Sequence, residues 1–123
     1  MARAPLISIV DDDDSLRNSL GNLLRSVGLR VQEFASADAF LASQDVRETA
    51  CLILDVRMPG MNGIELQRHI VAADWRLPIV FVTSHADDDA RARALGAGAV
   101  GFLYKPFREQ ELLDAIDSAL TKE

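Results

Sequence analysis

Five short apolar runs recur along the chain, and a segment with helical apolar spacing follows each of them. The runs are Leu6–Val10, Leu29–Phe34, Ala50–Leu54, Pro78–Val82 and Val100–Tyr104. After the first, Leu16, Leu20, Leu23, Leu24 and Val27 fall on one helical face, which Gly28 ends. Ser36 is placed to cap a short second helix over "SADAFLAS". Ile64, Leu66, Ile70 and Val71 suit a third helix, and "DDDARARALGAG" a fourth that stops at Gly96 or Gly98. Leu112, Leu113, Ile116 and Leu120 mark the last.

Strictly alternating strands and helices constrain the fold more than any other feature. Strands joined by helices run parallel, and the crossovers are right-handed. The first, third and fourth runs lack polar alternation, as strands covered on both faces do. The second alternates and reads as less buried. The expectation is an α/β fold, a flavodoxin-like doubly wound five-stranded parallel sheet in the order 2-1-3-4-5. No linker, repeat or low-complexity stretch interrupts it, so one domain over residues 1–123 is expected.

Composition narrows the function classes. At 49% apolar and 26% charged, the chain is globular rather than disordered. Its net charge of −6 argues against a sequence-independent grip on nucleic-acid phosphates. A single cysteine, Cys51, excludes an internal disulfide. Its apolar setting, "ACLILD", reads as a buried, inert thiol, and the compartment as reducing and cytoplasmic. No apolar stretch approaches membrane-spanning length, and "MARAPLISIV" does not read as a signal peptide.

In sheets of this order, ligands bind beyond the carboxyl ends of the strands, where the order reverses. Asp11 and Asp12 follow the first strand, Asp55 the third, Thr83 and Ser84 the fourth, and Lys105 the fifth. Three carboxylates sharing one pocket need a cation, while Asp13 and Asp14 start the first helix. Oxygen-only ligation suits Mg²⁺ or Mn²⁺ and disfavours zinc. Each residue also has a plain structural reading: Asp55 as a turn cap, Thr83 and Ser84 as caps of the fourth helix, Lys105 as surface. Their joint arrival at one edge favours a site.

The segments "IVDDDDSLR", "LILDVRMPGMNGIEL", "PIVFVTSH" and "GAGAVGFLYKPF" resemble, over nearly the whole chain, a response-regulator receiver domain of two-component signalling. The "VRMPGMNG" and "VTSHAD" segments look most like receivers that precede a helix-turn-helix DNA-binding output domain. The resemblance implies a signalling switch that catalyses only its own phosphorylation and dephosphorylation. Asp55 would accept a phosphoryl group from a sensor histidine kinase. Asp12, Asp55 and the backbone carbonyl of Arg57 would ligate Mg²⁺ (or Mn²⁺), with Asp11 acting nearby through a water. Thr83 and Lys105 would contact the phosphoryl group, and the Lys105–Pro106 bond would be cis.

By the same resemblance, Thr83 and then an aromatic on the fifth strand carry the signal. That aromatic is Phe102, where many members have tyrosine, and Tyr104 is read as facing the other side of the strand. The output face would be the fourth helix, fifth strand and fifth helix. Its acids and arginines, from Asp87 to Arg93 and from Arg108 to Asp117, suit a symmetric homodimer formed on phosphorylation. Arg57 and His85 stand where the family tunes dephosphorylation. Among the remaining residues, His69 is expected to be exposed, Met58 and Met61 to pack the loop, Trp75 to anchor a connection and Gly63 to help the loop turn.

Two other classes share parts of this pattern. A phosphatase of the haloacid-dehalogenase type needs a second Asp two residues after the nucleophile, where this chain has Arg57. A flavodoxin needs a phosphate loop rich in Ser, Thr and Gly after the first strand, and four aspartates there would repel a flavin phosphate.

Overall fold

Each strand carries the chain to one edge of the sheet, and each helix brings it back. In the computed structural model, which describes residues 3–84 and 87–121, the elements are β1 (Leu6–Val10), α1 (Asp14–Ser26), β2 (Arg30–Phe34), α2 (Ala37–Ala42), β3 (Thr49–Asp55), α3 (Gly63–Ala72), β4 (Ile79–Thr83), α4 (Asp88–Gly96), β5 (Gly101–Tyr104) and α5 (Glu109–Thr121). A short 3-10 turn, Val46–Glu48, leads into β3. The sheet is parallel throughout, in the order β2-β1-β3-β4-β5. That is the order expected from the alternation of strands and helices.

Two cores form because the central strands are apolar on both faces. Val10, Leu52, Leu54, Ile79 and Phe81 meet Phe40 of α2 and Leu66 and Ile70 of α3 on one side. Ile7, Ile9, Ile53, Val80 and Val82 meet Leu20 and Leu24 of α1 and Leu112 and Ile116 of α5 on the other. β1 and β4 are buried along their length, whereas β2 is half-buried at every position, as its alternation implies. Cys51 lies in the second core, and burial pushes its thiol up to about 12.

Local signals set the helix ends. Asp13 accepts from the Leu16 amide and Ser36 from the Ala39 amide. Asn62 and Glu65 form a reciprocal capping box at α3. Asp87 caps α4 by accepting from the Ala90 amide, so the capping role considered for Thr83 and Ser84 belongs to Asp87. α4 ends at Gly96, and Gly98, at φ 102°, supplies the left-handed residue of its exit.

The helix faces differ from the apolar spacing at two valines. Val27 is 50% exposed because α1 ends at Ser26 and Val27 is its C-cap. Val71 is 54% exposed, because the buried stripe of α3 is Gly63, Leu66, Gln67 and Ile70. Gln67 holds the inward position that the apolar count gave to Val71. In α5 the buried stripe is Leu112, Ile116 and Ala119, with Leu113 and Leu120 half-buried beside it. Trp75 packs as an anchor: its ring stacks on Phe40 at 5.8 Å, and the Arg47 guanidinium lies 4.3 Å from it.

Candidate functional site

The register puts the ends of β1 and β3 side by side. Val10 pairs with Leu54, so Asp11 leaves the sheet next to Asp55, and Asp55 pairs in turn with Val82 of β4. One carboxylate oxygen from each of Asp11, Asp12 and Asp55 lies within 4.8 Å of the others. Asp11 is fully buried, Asp55 nearly so, and Asp12 exposed. Asp13 and Asp14 stay outside the cluster as the cap and first turn of α1.

β5 delivers the counter-charge. Lys105 follows Tyr104, its amide donates to the Thr83 carbonyl at 2.8 Å, and its ammonium reaches Asp11 at 3.3 Å and Asp55 at 3.8 Å. The Lys105–Pro106 peptide is cis. Thr83 is buried at the end of β4, and its register partner is Tyr104. Arg57 donates its amide to Asp55 Oδ1 at 3.3 Å, while its exposed side chain points to Asp87, 3.9 Å away. His85 lies outside the described residues.

Burial pushes the Asp55 carboxyl up to about 6, and the neighbouring Asp11 carboxylate, with a smaller push from Asp12, adds to it. Lys105 and the Arg57 amide pull it the other way without cancelling the rise. Charging Asp55 beside the other two acids is thus unfavourable with one ammonium present, and a divalent cation would offset what remains. The cluster consists of carboxylates alone, one of them open to water. That donor set fits Mg²⁺ or Mn²⁺, which retain waters, and does not fit zinc.

Two placements correct the sequence reading. Tyr104 shares a face with Phe102, their ring centroids 5.5 Å apart, because residues two apart in a strand point the same way. Phe102 packs on Phe81 at 5.6 Å, bordering the first core. Gly63 matters for close approach rather than for a turn. Any β-carbon there would collide with the Asp55 carbonyl oxygen and press on Phe81. The turn residue of the loop is Gly60, at φ 77°. Met58 is buried and Met61 packs against the same core, as expected of loop anchors, and His69 is exposed.

Sequence reasoning passed over Arg17, whose guanidinium donates to the Asp11 carbonyl at 2.6 Å. A basic residue one turn into a helix that follows an acid run was the available signal.

Residues 7–117 match the model of the response regulator receiver domain. The chain belongs to this family. The response regulator protein TodT of Pseudomonas putida is 47% identical over 118 residues, 96% of this chain and 52% of that protein. The transcriptional regulatory protein FixJ of Bradyrhizobium diazoefficiens is 41% identical over 114 residues, 93% of this chain and 56% of that protein. The solved response regulator StyR superposes with a TM-score of 0.87 at 51% identity, covering 95% of this chain and 59% of that one. This receiver spans about half the length of the curated relatives it matches. Receivers act in two-component signalling, take phosphoryl groups from histidine kinases and bind Mg²⁺ in an acidic pocket. Among the described residues, no helix is long and apolar enough to cross a membrane.

Proposed function

We propose that this receiver is a phosphorylation switch whose acceptor is Asp55. A carboxylate oxygen of Asp55 bonds to the phosphorus of a phosphohistidine on a sensor kinase. The phosphorus–nitrogen bond breaks, and the imidazole nitrogen leaves with the electron pair and takes up a proton. Asp12, Asp55 and the Arg57 carbonyl would hold Mg²⁺ (or Mn²⁺), with Asp11 acting beside them. When bound, the ion supplies positive charge against the acids and the phosphoryl oxygens. Lys105 pairs with a phosphoryl oxygen, and the Thr83 hydroxyl donates to another. The chain catalyses its own phosphorylation and dephosphorylation and no other turnover.

The relay then runs from Thr83 to Phe102 and on to the face of α4, β5 and α5. Phe102 has no hydroxyl, so its part is packing against Phe81 and Tyr104. The exposed Asp88, Asp89, Arg91 and Arg93 of α4 and Glu109, Glu111, Asp114 and Asp117 of α5 suit a homodimer through that face. Residues 1–123 act as one receiver in the cytoplasm and control a transcriptional output, a reading supported by the similarity to the transcriptional regulatory proteins TdiR and FixJ. This domain itself contacts neither DNA nor membrane.

The observation carrying this reading is the meeting of Asp11, Asp12 and Asp55 within 4.8 Å, with Lys105 beside two of them. It is tested by incubating the chain with a small phosphodonor and Mg²⁺ and following its mass. Wild type gains a single acid-stable, base-labile phosphoryl group, and Asp55→Asn gains none. Labelling that persists in Asp55→Asn overturns the assignment.

A further inference from the structure

The peptide joining Asp11 to Asp12 is held from behind the acidic pocket. Arg17 Nη1 donates to the Asp11 carbonyl oxygen at 2.6 Å, and Nη2 pairs with Asp14. Its Nε lies 3.9 Å from Glu33 Oε1 on β2. The Arg17 and Glu33 side chains are only 14% and 19% exposed, so this brace is sheltered from water. The other oxygen of Glu33 takes Arg25 at 2.9 Å. Gly21 makes the arrangement possible, since a β-carbon on that turn of α1 would collide with the Glu33 carboxylate.

This brace reaches the pocket through backbone. The Asp11 carbonyl lies in the planar unit that ends at the Asp12 Cα, so fixing the oxygen fixes where that Cα sits and the N–Cα bond about which the Asp12 side chain turns. The rest of Asp11 is also tied down. Its amide donates to the Phe34 carbonyl at 3.1 Å, and its Oδ1 accepts from the Asp13 amide at 2.9 Å. Asp12 is exposed, so its aim into the cluster depends on that backbone.

We infer that Arg17 is a positioning residue for the acidic pocket. Braced by Glu33, it sets the aim of Asp12 and thereby the affinity of the pocket for a divalent cation. Arg17 touches neither ion nor phosphoryl group, and the inference rests on the cation site proposed above. A residue that only docks α1 onto the sheet would affect stability and leave that affinity alone.

Calorimetric titration of Mg²⁺ into the metal-free chain, with thermal melting alongside, separates the two roles. Supporting partners of metal ligands contribute about 10- to 100-fold in affinity. Arg17→Met is expected to weaken Mg²⁺ binding about tenfold. Arg17→Lys recovers part of the loss, since one ammonium serves the Asp11 carbonyl without reaching Glu33 and Asp14 together. Arg25→Met, which cuts Glu33's other pair, binds Mg²⁺ as wild type does. Wild-type affinity in Arg17→Met, with or without a lower melting point, overturns the inference and leaves the cation site standing. If Arg17→Met does not fold, Arg17→Lys decides, with weaker binding supporting the role and wild-type binding overturning it. A wild-type chain that takes up no Mg²⁺ overturns the cation site, and the inference with it.

Discussion

Lys105 divides its ammonium between two carboxylates, 3.3 Å from Asp11 and 3.8 Å from Asp55. It therefore occupies part of the electrostatic role that a divalent cation would fill. The same charge is what an incoming phosphoryl group needs next to Asp55. These two roles pull in opposite directions when the lysine is removed. Lys105→Met is expected to bind Mg²⁺ about fivefold more tightly, for ~1 kcal/mol of relieved competition. It is also expected to accept phosphoryl groups more slowly. Calorimetry and phosphodonor labelling of the same preparation measure both, and looser Mg²⁺ binding would count against a competing charge.

The raised Asp55 carboxyl makes the metal-free chain sensitive to pH. Its folded value, about 6, lies above the ordinary 3.8, chiefly through burial. Below both values the acid is protonated whether or not the chain is folded. As pH climbs between them, the unfolded chain loses the proton first, so stability falls through that window by up to about 3 kcal/mol. Asp55→Asn lacks this titration. In urea melts with chelator present, the variant's advantage over wild type is expected to open between roughly pH 4 and 6 and to level off above. Added Mg²⁺ should narrow the gap by binding wild type better. A gap that stays constant across the window would refute the shift.

Gly63 and Gly96 give opposite outcomes for the same substitution. At Gly63 the new methyl group would meet the Asp55 backbone, which cannot swing aside as a flexible side chain can. Gly63→Ala is expected to cost about 1–3 kcal/mol and to slow labelling of Asp55 as the end of β3 is displaced. At Gly96, in the last turn of α4, nothing lies within 4 Å of the added atom. Gly96→Ala is expected to stabilise by about 0.5–1 kcal/mol. Chemical denaturation of the pair checks both signs, and a stable, fully labelled Gly63→Ala would show that the β3–α3 loop has slack.

The sheet order and the meeting of Asp11, Asp12 and Asp55 were legible because each rests on counting. Apolar runs locate the strands, and the residues after them arrive at one edge whatever the details of packing. Contacts that depend on side-chain reach left no such trace. Arg17 reads as an ordinary helix charge until its guanidinium is seen on the Asp11 carbonyl. The clearance at Gly63 depends on how closely α3 approaches the end of β3, which no periodicity encodes. Tyr104 was misplaced although the rule of two would have put it beside Phe102. Val71 and Gln67 exchanged places because an apolar count assigns the inward face by residue type, and here a polar side chain is paired inside.

That pairing yields a further prediction. Gln67 is 2% exposed, and its Nε2 donates to the Ala94 carbonyl at 2.9 Å, tying α3 to α4. The same carbonyl accepts the Ala99 amide at 2.9 Å, so it keeps one partner when the glutamine is removed. The loss is therefore that of one buried hydrogen bond, not of an orphaned acceptor. α4 has little else to hold it, since its buried residues are the two alanines Ala90 and Ala94. Gln67→Leu, close in volume, is expected to cost about 1 kcal/mol in global stability. Its larger effect should be local, with faster amide hydrogen exchange in α4 than in α1 or α5. Equal acceleration in all three helices would mean that Gln67 serves the core at large and is no specific tether.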